Sequence, residues 1–412
     1  MFTRYQSSSP SHKLKVLLFV ILLTATGCQP QKAAAVRKEF SFWPSAPDEP
    51  RIQFLTSYVS SADLTDKQTK FEDSIYGKAD VLPITKPYGV AMWKGKIYVC
   101  DIRSKGVTVL DLQTRLTHIM GASGVGQIDK AVDIAVSPDG YKYVVDANRA
   151  VIVAFDQTDR FVAVFGPKDF NPVSVAVYKN ELFVADFRGQ KVKVLDRATG
   201  ALRRTIGEGG PDDGQFVRPL AVRVNPKGQI VVSDIMKCRI QTFSADGKFV
   251  SGIGQMGATP GDLNKPKHFS FDSDGYMYVV DAGFNNVQVF DDEGKVVDYF
   301  GSSGTHPGSM DLPAGVFVQE GDVDLFKQYI HPAFQAERLI IVTNQFGPHR
   351  VAVYAQGHLK KGKTLADVLP SRANVETGVD DPSKPTTQPA SPRDRLPAPL
   401  NLPTTAPATQ SR

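Results

Sequence analysis

The sequence predicts an all-β protein: a six-bladed β-propeller of four-stranded antiparallel blades, with the ring closed by an N-terminal strand. The first observation behind this prediction is a period of 47 residues that separates Pro219, Pro266 and Pro313. A period of this length is typical of repeat architectures. The same step recurs in three columns of glycines: Gly207, Gly254 and Gly301; Gly210, Gly257 and Gly304; Gly214, Gly261 and Gly308. Four columns in one register indicate structural repeats.

The second observation is the layout inside each repeat. In the copy that begins at Pro219, four short apolar runs are separated by turn residues, as at 225–228 and 245–247. Four short strands joined by Gly, Pro, Asn and Asp turns predict one antiparallel meander, which is one propeller blade. The six repeats begin at Lys86, Ala131, Pro172, Pro219, Pro266 and Pro313.

The third observation concerns closure of the ring. The sixth repeat carries an insertion at 319–338 and lacks a fourth strand, whereas residues 51–58 form a lone strand pattern before the first repeat. Pairing this N-terminal strand with the sixth blade would remove the exposed sheet edges. The insertion contains Phe326, Tyr329 and Phe334. We expect these aromatics to form a packed plug over the seam, with a functional loop as the alternative.

The repeat pattern also resembles a known family. Pro266 precedes an apolar strand, residues 278–281 end in Asp281, residues 287–291 alternate apolar and polar side chains, and Gly301 stands in the link to the next repeat. This pattern resembles the NHL-repeat family of β-propellers. The family includes RNA-binding modules, protein-binding modules and lyases, so the resemblance implies the fold and no single chemistry.

The N-terminus predicts an export signal. A basic start at 12–15 and an apolar run at 16–23 are followed by small residues and Cys28. This ending resembles the bacterial lipobox, which implies that Cys28 is lipidated and that the protein is anchored in the cell envelope. Gln29 stands where the inner-membrane retention signal has Asp, so we expect the outer membrane. A plain signal peptide or a short transmembrane anchor is the alternative, although the apolar run is too short to span a bilayer.

The predicted organisation follows from these segments. The C-terminal segment holds eight of the 28 prolines and almost no large apolar residues, so it cannot bury a core. We predict a lipoprotein signal peptide at 1–27, a tether at 28–48, the propeller at 49–360, a short extension at 361–380 and a disordered Pro/Thr-rich tail at 381–412.

Charge and cysteine content give few further constraints. The formal charge of +5 includes Arg4, Lys13 and Lys15 of the leader, so the mature chain is nearly balanced. Cys100 and Cys238 fall in the first and fourth repeats, on opposite sides of a six-bladed ring, and no disulfide is expected between them. There is no Cys-x-x-Cys-His motif for a c-type haem.

The distribution of charge is more informative than the total. In a four-stranded meander, the start of strand one and the link between strands two and three lie on the same face. That face is predicted to be basic and to form the binding surface, while the hairpins of the other face are acidic. The predicted binding residues are the cations Lys86, Arg103, Lys130, Arg149, Arg188, Arg218, Lys237, Lys265 and Lys267, together with His268 of a first strand.

A ring of cations around a channel mouth favours anionic partners. The sequence therefore predicts a lipid-anchored binding or scaffold protein of the cell envelope, whose partner is an envelope protein, an anionic glycan or a lipid head group. Nucleic acid is not expected as a partner in this compartment. Residues 334–337 and 342–348 resemble bacterial lipoprotein propellers, which are often encoded near multihaem cytochromes, and this implies such cytochromes as partners. The alternative is that the cations are solvated rim residues without a ligand.

Catalytic motifs are weak throughout the chain. An acid ends the second strand of the first five repeats and is expected to accept hydrogen bonds from turn amides, with metal or ligand contacts as the alternative. These acids are Asp101, Asp146, Asp186, Asp234 and Asp281. No catalytic residue, metal site or cofactor is predicted. A metal-dependent hydrolase or lyase acting in the channel, with His268 and these acids, remains the alternative function.

Overall fold

The computed structural model describes residues 40–64, 81–167 and 169–368. Over these ranges the chain forms a six-bladed β-propeller of antiparallel sheets, which confirms the predicted fold. Two strands precede the first blade: β1 (Phe42–Trp43) and β2 (Ile52–Tyr58). Blade 1 contains β3 (Pro87–Trp93), β4 (Lys96–Asp101), β5 (Val107–Asp111) and β6 (Leu116–Met120). Blade 2 contains β7 (Ala131–Val136), β8 (Lys142–Asp146), β9 (Val151–Phe155) and β10 (Phe161–Phe165). Blade 3 contains β11 (Pro172–Tyr178), β12 (Glu181–Asp186), β13 (Lys191–Asp196) and β14 (Leu202–Ile206).

The remaining blades follow in the same order. A short parallel pair, β15 (Glu208–Gly209) and β16 (Gln215–Phe216), lies in the link after blade 3. Blade 4 contains β17 (Pro219–Val224), β18 (Ile230–Asp234), β19 (Arg239–Phe243) and β20 (Phe249–Ile253). Blade 5 contains β21 (Pro266–Phe271), β22 (Met277–Asp281), β23 (Asn286–Phe290) and β24 (Val296–Phe300). Blade 6 contains β25 (Pro313–Glu320), β26 (Phe334–Asn344) and β27 (Val351–Leu359). Short helical turns occur at Ser61–Asp63, Ile235–Lys237, Val323–Tyr329 and α1 (Leu365–Val368).

The core lies between neighbouring blades. Each pair of adjacent sheets encloses an apolar cluster, such as the one that joins Tyr98 of blade 1 to Val144 and Phe155 of blade 2. The outer strand of each complete blade contains exposed residues, and β6 and β24 alternate exposed and partly buried residues because one face is solvated. The inner strands β3, β7, β11, β17, β21 and β25 surround the axis of the ring.

Polar side chains of the inner strands connect one blade to the next. Asp133 of β7 accepts a hydrogen bond from the amide of Val175 on β11 at 3.1 Å. Ser174 of β11 in turn accepts one from the amide of Val222 on β17, also at 3.1 Å. These bonds cross from sheet to sheet, so they fix the blades relative to one another around the axis.

Closure of the ring confirms the predicted N-terminal strand. β2 pairs antiparallel with β27, with Ile52 opposite Gln356 and Tyr58 opposite Val351. β1 adds a fifth strand outside β2 and lies within the segment predicted as tether. The side chain of Gln53, which is fully buried, donates to the carbonyl of Tyr329 at 2.8 Å. The two ends of the propeller are therefore joined both by a sheet and by a side chain.

The insertion of blade 6 is a packed plug, as expected. Phe326 and Phe334 are 1% exposed and pack with Leu55 and Tyr58 of the N-terminal strand. The insertion also lengthens β26 and β27, which pair from Phe334 and Leu359 onward.

Several predictions fall on other parts of the chain. The signal peptide, Cys28 and the tail at 381–412 lie outside the described residues. Cys100 and Cys238 are both buried and unbridged. Within the part of the chain that the structure describes, every helix is too short and too polar to cross a membrane.

Candidate functional site

The acids at the ends of the second strands have the structural role that was expected. Asp281 is fully buried and accepts hydrogen bonds from the amides of Asn264, Lys265 and Gly283 at 2.6, 3.0 and 2.8 Å. One carboxylate thus holds both the link before β21 and the link after β22, which places the two links on one face. Asp101, Asp146 and Asp234 hold the corresponding amides of their own blades.

Removal of one such carboxylate is expected to be costly. Replacing Asp281 with alanine should lower the free energy of unfolding by about 2–4 kcal/mol, because three amides lose a charged acceptor in a buried position. Asp292 is the matched control, since it pairs with Lys227 where both side chains are exposed, and its replacement should lower the free energy of unfolding far less than that of Asp281. Urea unfolding of both variants checks the prediction, and equal costs would contradict it.

Eight of the predicted binding residues lie on the face that these acids organise. They have no ion pair with any described residue. Arg103, Arg149, Arg188, Lys237 and Lys265 are exposed, and Lys86, Lys130 and Arg218 are partly buried. The acids of the opposite face are largely paired, as Asp139 is with Arg197 at 2.7 Å and Glu293 with Lys295 at 2.6 Å. The positive potential of the basic face is therefore not neutralised by close partners.

The basic face is less uniform than the sequence pattern predicted. The links between blades also reach this face and carry acids. Asp129 lies 3.8 Å from Lys105, and Asp213 lies 3.3 Å from Arg239. The eight cations without ion pairs among the described residues therefore lie before the inner strands and between the second and third strands of the blades, whereas the links between blades also carry acids.

Lys267 and His268 do not lie on the exposed face with the other eight residues. They belong to the inner strand β21, and Lys267 is 9% exposed and His268 1% exposed. The reason is their position within the strand: residues that directly follow the first proline of a repeat turn from the rim into the central channel. The prediction that Lys267 lies with the cations of the exposed face is wrong. It forms a separate cluster with His268, which lies on the first strand of its repeat and in the channel, where the alternative function places it.

An ion pair occupies the centre of this cluster. Asp133 is fully buried, and the guanidinium of Arg223 contacts both of its carboxylate oxygens, at 3.1 and 3.2 Å. The hydroxyl of Ser174 donates to the same carboxylate at 2.6 Å. Although burial raises the pKa of Asp133, Arg223 and then His268 outweigh it and the pKa lies below the ordinary value. The carboxylate is therefore charged and satisfied.

His268 lies beside this ion pair. Its Nδ1 is 3.5 Å from Oδ1 of Asp133, and its ring packs edge to face on Tyr88 with 5.2 Å between centroids. Burial lowers the pKa of His268 to about 4 against the opposing effect of Asp133, so the imidazole is neutral at neutral pH. We assign its proton to Nδ1, which faces the carboxylate. Nε2 is then an acceptor, and it is buried without a hydrogen-bond partner among the described residues.

Glycine makes the close approach of the neighbouring blade possible. A Cβ added to Gly89 would lie 2.7 Å from the Cα of Asp133. Since contacts this close do not occur for real side chains, only glycine fits between Tyr88 and Val90 at this point of β3. Tyr88 is thereby held against the cluster.

The structure does not bring His268 and the strand-end acids together as the metal site that the alternative function requires. Within residues 40–64, 81–167 and 169–368, no group of three or more His, Cys, Asp or Glu side chains is placed to hold a metal ion. The strand-end acids bind backbone amides, and His268 faces Asp133, whose oxygens are taken by Arg223 and Ser174.

Four residues of the channel cluster were missed in the sequence: Tyr88, Asp133, Ser174 and Arg223. A signal for two of them exists in the third residue of each inner strand. That column contains Gly89, Asp133, Ser174, Ala221, His268 and Gly315. A polar residue inside an otherwise apolar strand marks a side chain that faces the axis. Arg223 lies two positions further along β17 and has no such signal.

The comparisons with known proteins support the class of fold. A family model described as a six-bladed β-propeller matches residues 211–299. No curated protein matches the chain at a significant level. A solved protein of unknown function from Bacteroides thetaiotaomicron has a TM-score of 0.52 at 11% identity, covering 77% of this chain and 76% of that one. A streptogramin B lyase has a TM-score of 0.48 at 14% identity, with 67% of this chain and 84% of that chain covered. Virginiamycin B lyase from Staphylococcus aureus has a TM-score of 0.46 at 12% identity, with coverages of 67% and 96%. The family model and the Bacteroides structure support the six-bladed fold alone, so the activity of the chain must be argued from its own residues.

Proposed function

We propose that this chain is a lipid-anchored binding or scaffold protein of the bacterial cell envelope, located in the outer membrane through Cys28, that holds an anionic partner on its basic face. The observation that carries the proposal is the set of eight cations, before the inner strands and between the second and third strands, that lack ion pairs with the described residues. Surface lysines and arginines are normally balanced by nearby acids, as they are on the opposite face of this ring. An unbalanced ring focuses positive potential at the channel mouth and attracts anions.

The partner is an acidic envelope protein, an anionic glycan or a lipid head group. The sequence resemblance to propellers encoded near multihaem cytochromes makes such a cytochrome one protein to test. Nucleic acid is excluded from the proposal by the envelope location that the lipobox implies. The geometry of a propeller suits this role because a rigid ring presents many loops of one face to a large partner.

The test measures retention of the lipid-free chain on immobilised polygalacturonate, a defined anionic polymer, at low and high salt. We expect retention at low salt and release as salt increases, since exposed charges are screened. Charge reversal of Arg103, Arg188 and Arg218 to glutamate should reduce retention at least about tenfold, equivalent to about 1.4 kcal/mol.

The matched control reverses Lys227, Lys248 and Lys295, which lie at hairpins of the opposite face and alter the net charge by the same amount. This variant should retain most of the binding. Equal losses in the two triple variants would show that only net charge matters and would overturn the proposal. Thermal unfolding of both variants should match the wild type, which excludes misfolding as the cause.

A metal-dependent hydrolase or lyase in the channel is the second candidate, favoured by the unpartnered Nε2 of His268. Stoichiometric Zn²⁺ or Ca²⁺ in the purified protein that is lost on replacement of His268 by alanine would support it. Metal-free protein that is unaffected by chelators would count against it.

A further inference from the structure

Lys267 differs from the other buried lysines of the described chain. Lys142 lies 2.7 Å from Asp159 and also donates to two backbone carbonyls. Lys193 lies 2.9 Å from Asp186 and donates to the carbonyl of Asp169. Lys267 has neither a carboxylate nor a carbonyl partner among the described residues, although it is 9% exposed. Its Nζ lies 5.7 Å from the centre of the Tyr88 ring.

Burying a cation without a counter-ion costs free energy, and folded proteins rarely contain such a group. The aromatic face of Tyr88 compensates only a small part of the lost hydration. Burial, followed by the charges of Lys86 and Lys265, lowers the pKa of Lys267 to about 8. The side chain of Lys267 is still mostly protonated at neutral pH. The folded chain therefore contains a buried positive charge that has no counter-charge among the described residues.

Two further polar groups, one on His268 and one on Tyr88 itself, lack hydrogen-bond partners among the described residues. Nε2 of His268 is a buried acceptor with no donor among the described residues, and His268 packs against the ring of Tyr88. The hydroxyl of Tyr88 forms no hydrogen bond with the described residues. The cluster thus offers one charged donor, one neutral acceptor and one group of either kind. A ligand that satisfies all three needs an anionic oxygen for Lys267 and a hydroxyl donor for His268.

We propose that Lys267, Tyr88 and His268 form a binding subsite for one sugar-acid unit, a uronate, with its carboxylate on Lys267 and a ring hydroxyl donating to Nε2 of His268. This inference rests on the proposed function and selects an acidic polysaccharide as the partner. An aspartate or glutamate side chain supplies the anion but no hydroxyl beside it. A lipid phosphodiester likewise lacks a donor.

The charges around the subsite provide a route to it. Lys86 and Lys265 stand at the start of β3 and β21, and both are close enough to affect the pKa of Lys267. Lys86 also lies 5.2 Å from the ring of Phe346, which is exposed at the same mouth. The positive potential of Lys86 and Lys265 therefore attracts an anion to the mouth of the channel. The anion then pairs with the buried ammonium of Lys267, where desolvation makes the pairing stronger. The apolar face of a sugar ring at this mouth would pack against Phe346.

The test is calorimetric titration of the full lipid-free chain with glucuronate, glucose, acetate, glutamate and inorganic phosphate. We expect glucuronate to bind at least about tenfold more tightly than glucose, which lacks the anion, and acetate, which lacks the hydroxyl. Phosphate or glutamate binding as tightly as glucuronate would overturn the sugar-acid assignment.

Three variants separate the roles of the side chains. Lys267→Met should weaken glucuronate binding at least about tenfold, whereas the exposed Lys265→Met should change it less than about threefold. His268→Phe keeps a ring against Tyr88 and removes the acceptor, so it should weaken glucuronate binding and leave acetate binding unchanged. Equal effects of the two lysine substitutions would contradict a specific subsite.

Failure of this inference can be told apart from failure of the proposed function. If the wild type is retained by polygalacturonate in a salt-dependent manner but does not bind glucuronate, the basic face binds anions and the subsite is refuted. If neither probe binds, both proposals fall. A rise in the thermal midpoint of Lys267→Met would show that its loss of binding does not result from misfolding.

Discussion

Replacement of Asp133 with asparagine is expected to destabilise the propeller by about 3–5 kcal/mol, one of the largest effects of any single substitution in this chain. The change leaves the guanidinium of Arg223 in the channel without its carboxylate, which it now contacts at 3.1 and 3.2 Å. It also weakens the acceptor for Ser174 and for the amide of Val175, both of which connect blade 2 to blade 3. Since domains are stable by only about 5–15 kcal/mol, the loss should be evident in the midpoint of urea unfolding.

A double-mutant cycle identifies the cause of that loss. Arg223→Met should also be destabilising, because it leaves the Asp133 carboxylate buried without its main counter-charge. The double variant should be less destabilised than the sum of the two single variants, since neither uncompensated charge remains. Additive effects would show that the two side chains do not act as a pair. Asp139→Asn is the control, because its pair with Arg197 is at the exposed end of a hairpin.

Much of the architecture could be predicted because its determinants are local. The turns at 225–228 and 245–247 and the alternation of the strands recur with one period, and each blade is built from residues that are close in sequence. The strand-end acids were predictable for the same reason: Asp281 binds amides that are 16 and 17 residues before it and two residues after it. The closing strand needed a longer-range inference, but the missing strand of the sixth repeat gave a direct signal.

The channel cluster could not be predicted in this way. Asp133 and Arg223 are separated by 90 residues and meet because blades 2 and 4 flank blade 3, over whose inner strand Arg223 reaches Asp133. No periodicity indicates which inward-facing side chains pair there, as each of blades 1 to 5 contributes one or two different residues. The burial of Lys267 was missed because the boundary between rim and channel falls at the start of β21: Lys265 precedes the strand and is exposed, whereas Lys267 lies within it and is buried. The sequence pattern does not show how far into the channel a strand residue lies.

Replacement of Lys267 with methionine is expected to stabilise the protein while it removes sugar-acid binding. The difference between the ordinary lysine pKa of 10.5 and about 8 in the folded chain corresponds to about 3 kcal/mol. Part of this gain is offset by loss of the contact with the Tyr88 ring, so an increase of about 1–3 kcal/mol in the free energy of unfolding at neutral pH is expected. The exposed Lys265→Met should change stability by less than about 0.5 kcal/mol.

The dependence on pH distinguishes this explanation from a simple gain in packing. Below about pH 8 the lysine is protonated in both the folded and the unfolded chain, and the folded state carries the full cost of burying the charge. Between about pH 8 and 10.5 the folded chain releases this proton while the unfolded chain keeps it, so wild-type stability should rise with pH. The advantage of Lys267→Met should shrink over the same window.

Glucuronate binding by the wild type should weaken about tenfold from about pH 7 to about pH 9, because the cation is lost, whereas a lysine of ordinary pKa would retain it. Lys86, Lys265, Tyr88 and His268 are the titratable groups that face Lys267, and the same profile in Lys86→Met and Lys265→Met would assign the transition to Lys267 itself. A pH-independent advantage of the methionine variant would show instead that the side chain is improved by packing, and the missing counter-charge would no longer explain the site.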